Sequence, residues 1–525
     1  DGILCSGHQI LIIMWLYIFL FIALICLLPI LLALASLLKA KYNLKHYEAQ
    51  GIPTIFHPQG IFHLVSRHWP DNKQGSNLEY MKRLKNMYRD KSALAVNRLT
   101  HTGSYLYVFN EEWVREFLAK EELFDKVSPD RIAKDKFGFF YKNGHKLVQS
   151  RDLFAKAFNY DRLSRFTLSV SDMIVRMIDQ YCQEKNIGTE EYVKIDLGDL
   201  LDRILEKTLN FFIFGQETVE NLPSGKSVYR CVYDVYHHIV GLKGNLFYLL
   251  FPGLCMKYNL IHAIREMNRI NKEVSAHILN IYNARLNLST LGDCPLDIII
   301  QHNIQCREEG NMEEYIDEQE LYGSVNLFQF AGTDTSQSLI SNVLCEMAAH
   351  PSLQIQFSSI LSEIFDSRGC MDRHSLDNND RLNMWMKESL RRYNPIARLV
   401  QRVAKKDCVI NKIRIRKGDA IGIGLVSFNF DGDYYDQPND FVPNRFSKEL
   451  EKSLPRHQFI PFGAGRRICL GRNLGELMSK LILCQFCKSI EFRQPVGIEY
   501  YTLNSALTTQ ETPIIEGRRK PISKH

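Results

Sequence analysis

The sequence predicts a mainly α protein with a small β portion, preceded by one N-terminal transmembrane helix. Three observations predict it: apolar residues recurring every three or four positions over long stretches, strand-like runs that are few and short, and one long uncharged segment near the start. Ile10 to Leu38 carries no charged residue over 29 positions. As a helix it would span about 44 Å, more than the roughly 30 Å of a bilayer's hydrocarbon core. A secretory signal is the alternative, but its apolar region is shorter, and no small-residue cleavage site precedes Lys39. Pro29 kinks this helix or marks where it leaves the bilayer. Lys39, Lys41 and Lys45 follow the segment while only Asp1 and His8 precede it, which puts the large domain on the cytoplasmic side.

Further along, Phe166, Val170, Met173, Ile174, Met177, Ile178 and Tyr181 mark one amphipathic helix, and Ile261, Ile264, Met267, Val274, Ile278 and Ile281 another. Leu321 to Ala348 reads as a long helix interrupted by the small, polar patch Ala331-Gly332-Thr333-Asp334-Thr335-Ser336, and Leu474 to Ile490 as a further helix. Strands are expected at Tyr105 to Phe109, Lys412 to Arg416 and Ala420 to Val426, the last two flanking the turn Lys417-Gly418-Asp419. Gly422-Ile423-Gly424 is strand glycine, because neither a third glycine nor a helix start follows it.

The 525 residues contain no linker-like tract, like-charge block or solenoid repeat, so one large domain after the N-terminal segment is the simplest organisation. A net charge of +6 suits an acidic partner or anionic lipid and is too dilute for nucleic acid. Thirteen scattered cysteines, an odd number, point to reduced thiols facing the cytosol. Cys484-x-x-Cys487 lies in a helical run with no second pair and reads as core packing. Asn287-Leu288-Ser289 is a glycosylation sequon by pattern only.

The chemistry centres on Phe462-Gly463-Ala464-Gly465-Arg466-Arg467-Ile468-Cys469-Leu470-Gly471, a glycine-rich cationic loop just before an apolar helix. Such a setting suits a metal-binding thiolate: Arg466 and Arg467 would lower the thiol pKa, and the glycines let backbone approach a large planar group. The alternative is a small buried hydrophobe, the common fate of an intracellular cysteine. The loop resembles the haem-binding loop of cytochromes P450, whose pattern Phe-x-x-Gly-x-Arg-x-Cys-x-Gly is met by Phe462, Gly465, Arg467, Cys469 and Gly471.

The resemblance implies the cytochrome P450 fold over about residues 50 to 515, with haem b (iron protoporphyrin IX) as cofactor and Cys469 as axial ligand of its iron. It divides the chain into a transmembrane anchor at 10–38, a hinge at 39–58 bearing Gly51-Ile52-Pro53 and Pro58, and a catalytic domain at 59–525. The polar patch matches the family's oxygen-activating helix, in which Ala331 lies against the cofactor, Thr335 holds oxygen or water and Asp334 relays protons. The alternative is a kinked packing helix with Thr335 bonded to its own backbone. Glu388-Ser389-Leu390-Arg391 puts an acid and a base on one helix face. It matches the family's Glu-x-x-Arg element, closed into a structural triad by Arg445 of Pro443-Asn444-Arg445-Phe446; Asn444 stands where Glu is usual. Haem's two propionates call for cations from separate elements, here Arg467, Arg402 and Arg151. Arg151 matches the arginine of a Trp-x-x-x-Arg helix in which Leu147 replaces the tryptophan, with His145 as a candidate substitute.

The chain shows no flavin or nicotinamide site, so the resemblance implies electrons from NADPH-cytochrome P450 reductase, with cytochrome b5 as a second donor. The implied reaction inserts one oxygen atom into a lipophilic small molecule at the endoplasmic reticulum membrane, from a single-pass chain with its catalytic domain in the cytosol, touching membrane lipid and no nucleic acid. Two rivals stay open: a haem-thiolate isomerase or dehydratase acting on a peroxide, and a non-enzymatic haem-binding membrane protein. Substrate-contact loops are expected near Lys126 to Phe140, Val232 to Pro252 and Tyr500 to Thr509.

Overall fold

The structure is a computed structural model, and it describes residues 41–56, 93–97, 104–109, 111–126, 138–217, 219–242, 252–367, 369–396, 402–496 and 513–521, together with Trp15, Leu27, Leu38, Lys39 and Tyr248. The Ile10 to Leu38 segment lies almost wholly outside these, as do most of the loop Lys126 to Phe140, part of Val232 to Pro252 and all of Tyr500 to Thr509. Among the described residues no helix is long and apolar enough to cross a membrane.

The principal helices are α1 (Glu111–Ala119), α2 (Gly144–Ala155), α3 (Tyr160–Glu184), α4 (Leu197–Phe214), α5 (Val228–Leu242), α6 (His262–Leu286), α7 (Pro295–Glu308), α8 (Glu318–Ala349), α9 (Pro351–Ile364), α10 (Asp380–Arg392) and α11 (Arg472–Ser489). Helix α3 buries the whole series from Phe166 to Tyr181 that its periodicity marks, and its first turn is closed by Asn159, whose side chain accepts from the Arg162 N–H. Helix α8 is buried nearly all round, as a helix through the middle of a large domain must be. It packs against α4, α11, α5, α6 and the single turn Gly138–Tyr141. Two glycines permit the closest approaches. A Cβ on Gly138, whose φ is +43°, would lie 2.7 Å from the Ser324 amide nitrogen, and one on Gly332 would lie 2.7 Å from Leu209 of α4.

Contrary to the sequence expectation, the polar patch does not interrupt α8, which is helical without a break from Glu318 to Ala349. The Thr333 and Thr335 hydroxyls bond the carbonyls of Gln329 and Ala331, each four residues earlier, and these local bonds leave the backbone ladder in place.

The larger sheet runs β1 (Thr54–Phe56), β2 (Ala93–Asn97), β3 (Tyr105–Val108), β9 (Ala420–Ile423), β6 (Arg402–Ala404), β4 (Phe124–Asp125) in spatial order. Strand β3 pairs parallel with β9, Tyr107 opposite Gly422. A side chain on Gly422 would collide with the Tyr105 ring, so this glycine serves packing, not phosphate binding. Strands β7 (Cys408–Ile410) and β8 (Ile413–Ile415) form a separate pair, and β10 (Ile490–Arg493), β11 (Ile514–Arg519) and β5 (Val193–Asp196) a third sheet. The turn after β8 places Gly418 at φ +86° and aims buried Asp419 at three donors: the Tyr47 hydroxyl at 2.7 Å, the Ser104 N–H at 2.6 Å and Arg416 at 3.2 Å. Part of the expected hinge is thereby built into the domain, since Leu44, Tyr47 and Ile52 are buried in the sheet's core.

Among the described residues there are two apolar cores, a large helical one and a smaller one around the sheet. The Cys469 loop lies between them: Phe459, Phe462 and Leu470 pack on the helical core, Ile460 and Ala464 on the sheet core. Cys484 and Cys487 are fully enclosed in α11, and burial pushes both thiols up, Cys487 to about 12, which fits packing and not redox chemistry.

Candidate functional site

Two left-handed glycines fold the cysteine loop back on itself. Gly463 and Gly465 have φ of +75° and +73°. The Cys469 N–H then reaches the Phe462 carbonyl at 2.9 Å and Ile468 N–H the Gly465 carbonyl at 3.2 Å. Gly465 has a second reason to lack a side chain: a Cβ there would lie 2.6 Å from a Glu121 carboxylate oxygen. That carboxylate accepts from the Arg466 N–H at 3.0 Å, tying the loop to the end of α1.

Cys469 sits one turn before α11. It keeps accessible surface, yet the protein around its sulfur is dense enough for burial to push the thiol up. Both hold for a side chain that faces an interior cavity. The Gly471 N–H bonds the sulfur, and Arg151 and Lys126 also favour its ionised form. The two arginines of the loop do not act as expected. Arg466 is exposed, while Arg467 donates to the Lys142 carbonyl at 2.7 Å and to Asn143 Oδ1.

Cations gather beside the cysteine from four parts of the chain. Arg151 of α2 donates to the Ile468 carbonyl at 2.8 Å. Arg402 of β6 is nearly enclosed, and burial with Arg467 beside it pushes its pKa down to about 10. Lys126, just after β4, is buried, and the influences lowering its pKa include Arg402, Arg467 and Arg151. Asn143 braces the group: its side chain bonds both backbone groups of Lys126, at 2.9 and 3.1 Å, and accepts from Arg467. Beside the loop stand the rings of Phe154, Phe158, Phe212 and Phe328, with Phe158 3.7 Å from where a Gly471 Cβ would be.

On α8, Ala331 is exposed in a stretch otherwise enclosed, and half-buried Thr335 lies one turn on along the same face. The Thr335 hydroxyl donates to the Ala331 carbonyl at 2.7 Å. Asp334 points elsewhere, toward Asp202 of α4. Burial, with the Asp202 charge nearby, pushes its carboxyl up to about 7, and one of its oxygens is enclosed with no hydrogen-bond partner among the described residues.

The Glu388, Arg391 and Arg445 side chains meet. Arg391 forms a two-pronged pair with Glu388 at 2.7 and 2.8 Å and donates to the carbonyls of Asn429, Pro438 and Asp440. Arg445 approaches the same carboxylate at 3.4 Å, and the Val442 N–H bonds it at 2.8 Å. Glu388 and Arg391 have no exposed surface.

A family model described as "Cytochrome P450" matches residues 59–514, most of the chain. This chain belongs to the cytochrome P450 family. Among curated relatives, Cytochrome P450 3A11 of Mus musculus is 30% identical over 202 residues, 38% of this chain and 40% of the relative. Cytochrome P450 3A28 of Bos taurus is 29% identical over 271 residues, 51% and 53% respectively. Cytochrome P450 734A5 of Oryza sativa subsp. japonica is 22% identical over 395 residues, 74% and 72%. The chain thus spans about half or less of the length of the first two.

Members of the P450 family bind haem b through a cysteine thiolate, and the residues here fit that group. Glu121 is one carboxylate that acts on Arg151, Arg402 and Arg467; four cations drawn together from separate elements outnumber it and favour further anions, and haem brings two carboxylates. A cysteine whose thiol is pushed up by burial becomes an anionic ligand when a metal's charge opposes that cost. The expected site residues Phe462, Gly465, Arg467, Cys469, Gly471, Arg151 and Arg402 come from the loop and the elements around it. His145 is exposed on α2, and Leu147, at the tryptophan position, is buried. Sequence reasoning missed Glu121, Lys126 and Asn143. Asn143-Gly144 at a helix start is a capping signal, which could have drawn attention to Asn143; nothing local marks the other two.

Proposed function

We propose that this P450 is a membrane-anchored haem-thiolate monooxygenase, which inserts one oxygen atom of O2 into a lipophilic small molecule with electrons from NADPH-cytochrome P450 reductase or cytochrome b5. The observation that carries the reading is the convergence of Arg151, Arg402 and Arg467 beside Cys469. Haem, when bound through a thiolate, supplies oxygen activation with O–O cleavage favoured. Cys469 would hold the haem iron through its sulfur, and the Gly471 N–H that bonds this sulfur would temper its donor strength. The three arginines would hold the propionates, Phe462 and Ala331 would lie against the macrocycle, and the phenylalanine wall would keep water out.

Asp334, with its carboxyl raised to about 7, takes and returns a proton at neutral pH. Thr335 can trade its bond to the Ala331 carbonyl for one to a water or to oxygen at the site. Glu388, Arg391 and Arg445 hold the loop's surroundings in register and touch no reactant. In this reading residues 10–38 anchor the chain once in the endoplasmic reticulum membrane, 39–58 connect, and 59–525 form the cytosolic catalytic domain.

The test supplies reductase and follows NADPH, peroxide and product together. Cys469→His should keep some haem and lose the red-shifted carbon monoxide spectrum of a thiolate-ligated ferrous iron. Thr335→Ala should bind substrate and take electrons yet divert them to hydrogen peroxide. Turnover of a hydroperoxide without NADPH, indifferent to Thr335, would establish the isomerase instead; a haem-loaded wild type that consumes neither oxygen nor peroxide would establish a non-enzymatic role.

A further inference from the structure

The loss of tryptophan at Leu147 leaves a question that Lys126 answers. Lys126 is 6% exposed. Its ammonium lies over the ring of Phe140 and near that of Tyr141, and no carboxylate among the described residues bonds it. An isolated ammonium in such a place is costly, and three guanidinium groups nearby, of Arg402, Arg467 and Arg151, increase the cost. The chain nevertheless holds the backbone of Lys126 firmly. Asn143, which precedes α2 and makes no capping bond to it, instead grips both the N–H and the carbonyl of Lys126, and the same Asn143 oxygen accepts from Arg467. Lys126 and Arg467 are thus fixed side by side through one amide. Neighbouring Lys142 is not in the same position, since it has a partner in Glu320 of α8.

We propose that Lys126 is a haem-carboxylate ligand: its ammonium, carried on a backbone that Asn143 fixes beside Arg467, bonds a propionate that the family's tryptophan would otherwise help to hold. The inference rests on the haem reading above. It makes the site's carboxylate recognition entirely cationic, with the Phe140 face shielding the ammonium so that its charge acts on the carboxylate through a medium of low dielectric.

The full-length holoenzyme tests it in wild type, Lys126→Met and Lys126→Arg. Haem content is measured first, then the rate of haem transfer to excess apomyoglobin, then the propionate bending band in the resonance Raman spectrum. Lys126→Met, close in shape and without charge, should release haem about tenfold faster or more, as expected for one lost charge-assisted hydrogen bond. Its propionate band should shift, and Lys126→Arg should restore slow release while shifting the band differently. A role in packing alone predicts the wild-type band in both variants, and that outcome overturns the inference, as does wild-type release from Lys126→Met. Should Lys126→Met fail to accumulate, the band of Lys126→Arg decides by itself: unchanged from wild type, it overturns the inference. A wild type that takes up no haem refutes the underlying haem reading, a result distinct from all of these.

Discussion

At the scale of single residues, Asp334 carries the clearest pH signature. An aspartate has a pKa near 3.9 in an unfolded chain, and here burial and Asp202 raise it to about 7. The folded protein holds that proton more tightly, so the carboxyl's contribution favours folding fully below the unfolded value and is lost as pH rises through 7. Replacing Asp334 by Asn removes the ionisation. The variant should therefore gain stability over wild type as pH rises from 5.5 to 8, by roughly 2 kcal/mol across that interval. Denaturant unfolding at both pH values measures it, and a gain that is the same at each would show that Asp334 ionises freely in the fold. Candidate site residues were legible in the sequence where they stand at fixed local spacing, as around Cys469 and at Glu388 and Arg391. They were illegible where a side chain arrives from far along the chain. Lys126 and Glu121 reach the loop across more than 300 positions, and no pattern in their own neighbourhood records the meeting. The cationic loop misled in detail for the same reason: adjacency suggested that Arg466 and Arg467 act on the thiol, whereas Arg151 and Lys126 do.

At the scale of elements, helix periodicity was the most readable signal, because burying one face of α3 or α6 requires apolar spacing whatever the partner. The polar patch of α8 was misread as a break, since small and hydroxyl residues weaken an isolated helix while tertiary packing on both sides keeps this one whole. The Glu388-x-x-Arg391 element of α10 could have been a surface ion pair by spacing alone, and its worth would then be tenths of a kcal/mol. Its full enclosure changes that. Removing Glu388 strands Arg391 and Arg445, and removing Arg391 strands Glu388 and three backbone carbonyls. Either change to Ala should cost roughly 3–5 kcal/mol and sharply reduce haem incorporation. Arg392→Ala should retain most of its haem, because Arg392 is half-buried and stacks on Tyr393 and Phe430. Haem content per polypeptide, measured on the three variants expressed together, gives the comparison; equal losses would mean the pair is no more important than its neighbour.

At the scale of the whole molecule, part of the segment expected as a hinge belongs to the folded domain. The uncharged run suggests an anchor and the family resemblance a hinge after it, but Leu44, Tyr47 and Ile52 are inserted into the sheet core, with the Tyr47 hydroxyl on Asp419. His46 and Gln50 also bond the backbone of Arg414. The proposed anchor and the stability of the domain can therefore be separated by where the chain is cut. A protein beginning at Lys39 should leave the membrane under alkaline carbonate while keeping its haem and its unfolding midpoint. A protein beginning at Ile52 should leave the membrane equally well but lose stability, since burying Tyr47 alone is worth roughly 3–5 kcal/mol by analogy with other large aromatic side chains, and Asp419 keeps only Ser104 and Arg416 as donors. Extraction followed by denaturant unfolding of the two truncations reads both effects. If the longer form still resists carbonate, the Ile10 to Leu38 segment is not the principal anchor; if the shorter form unfolds with the longer one, residues 39–51 are a hinge after all.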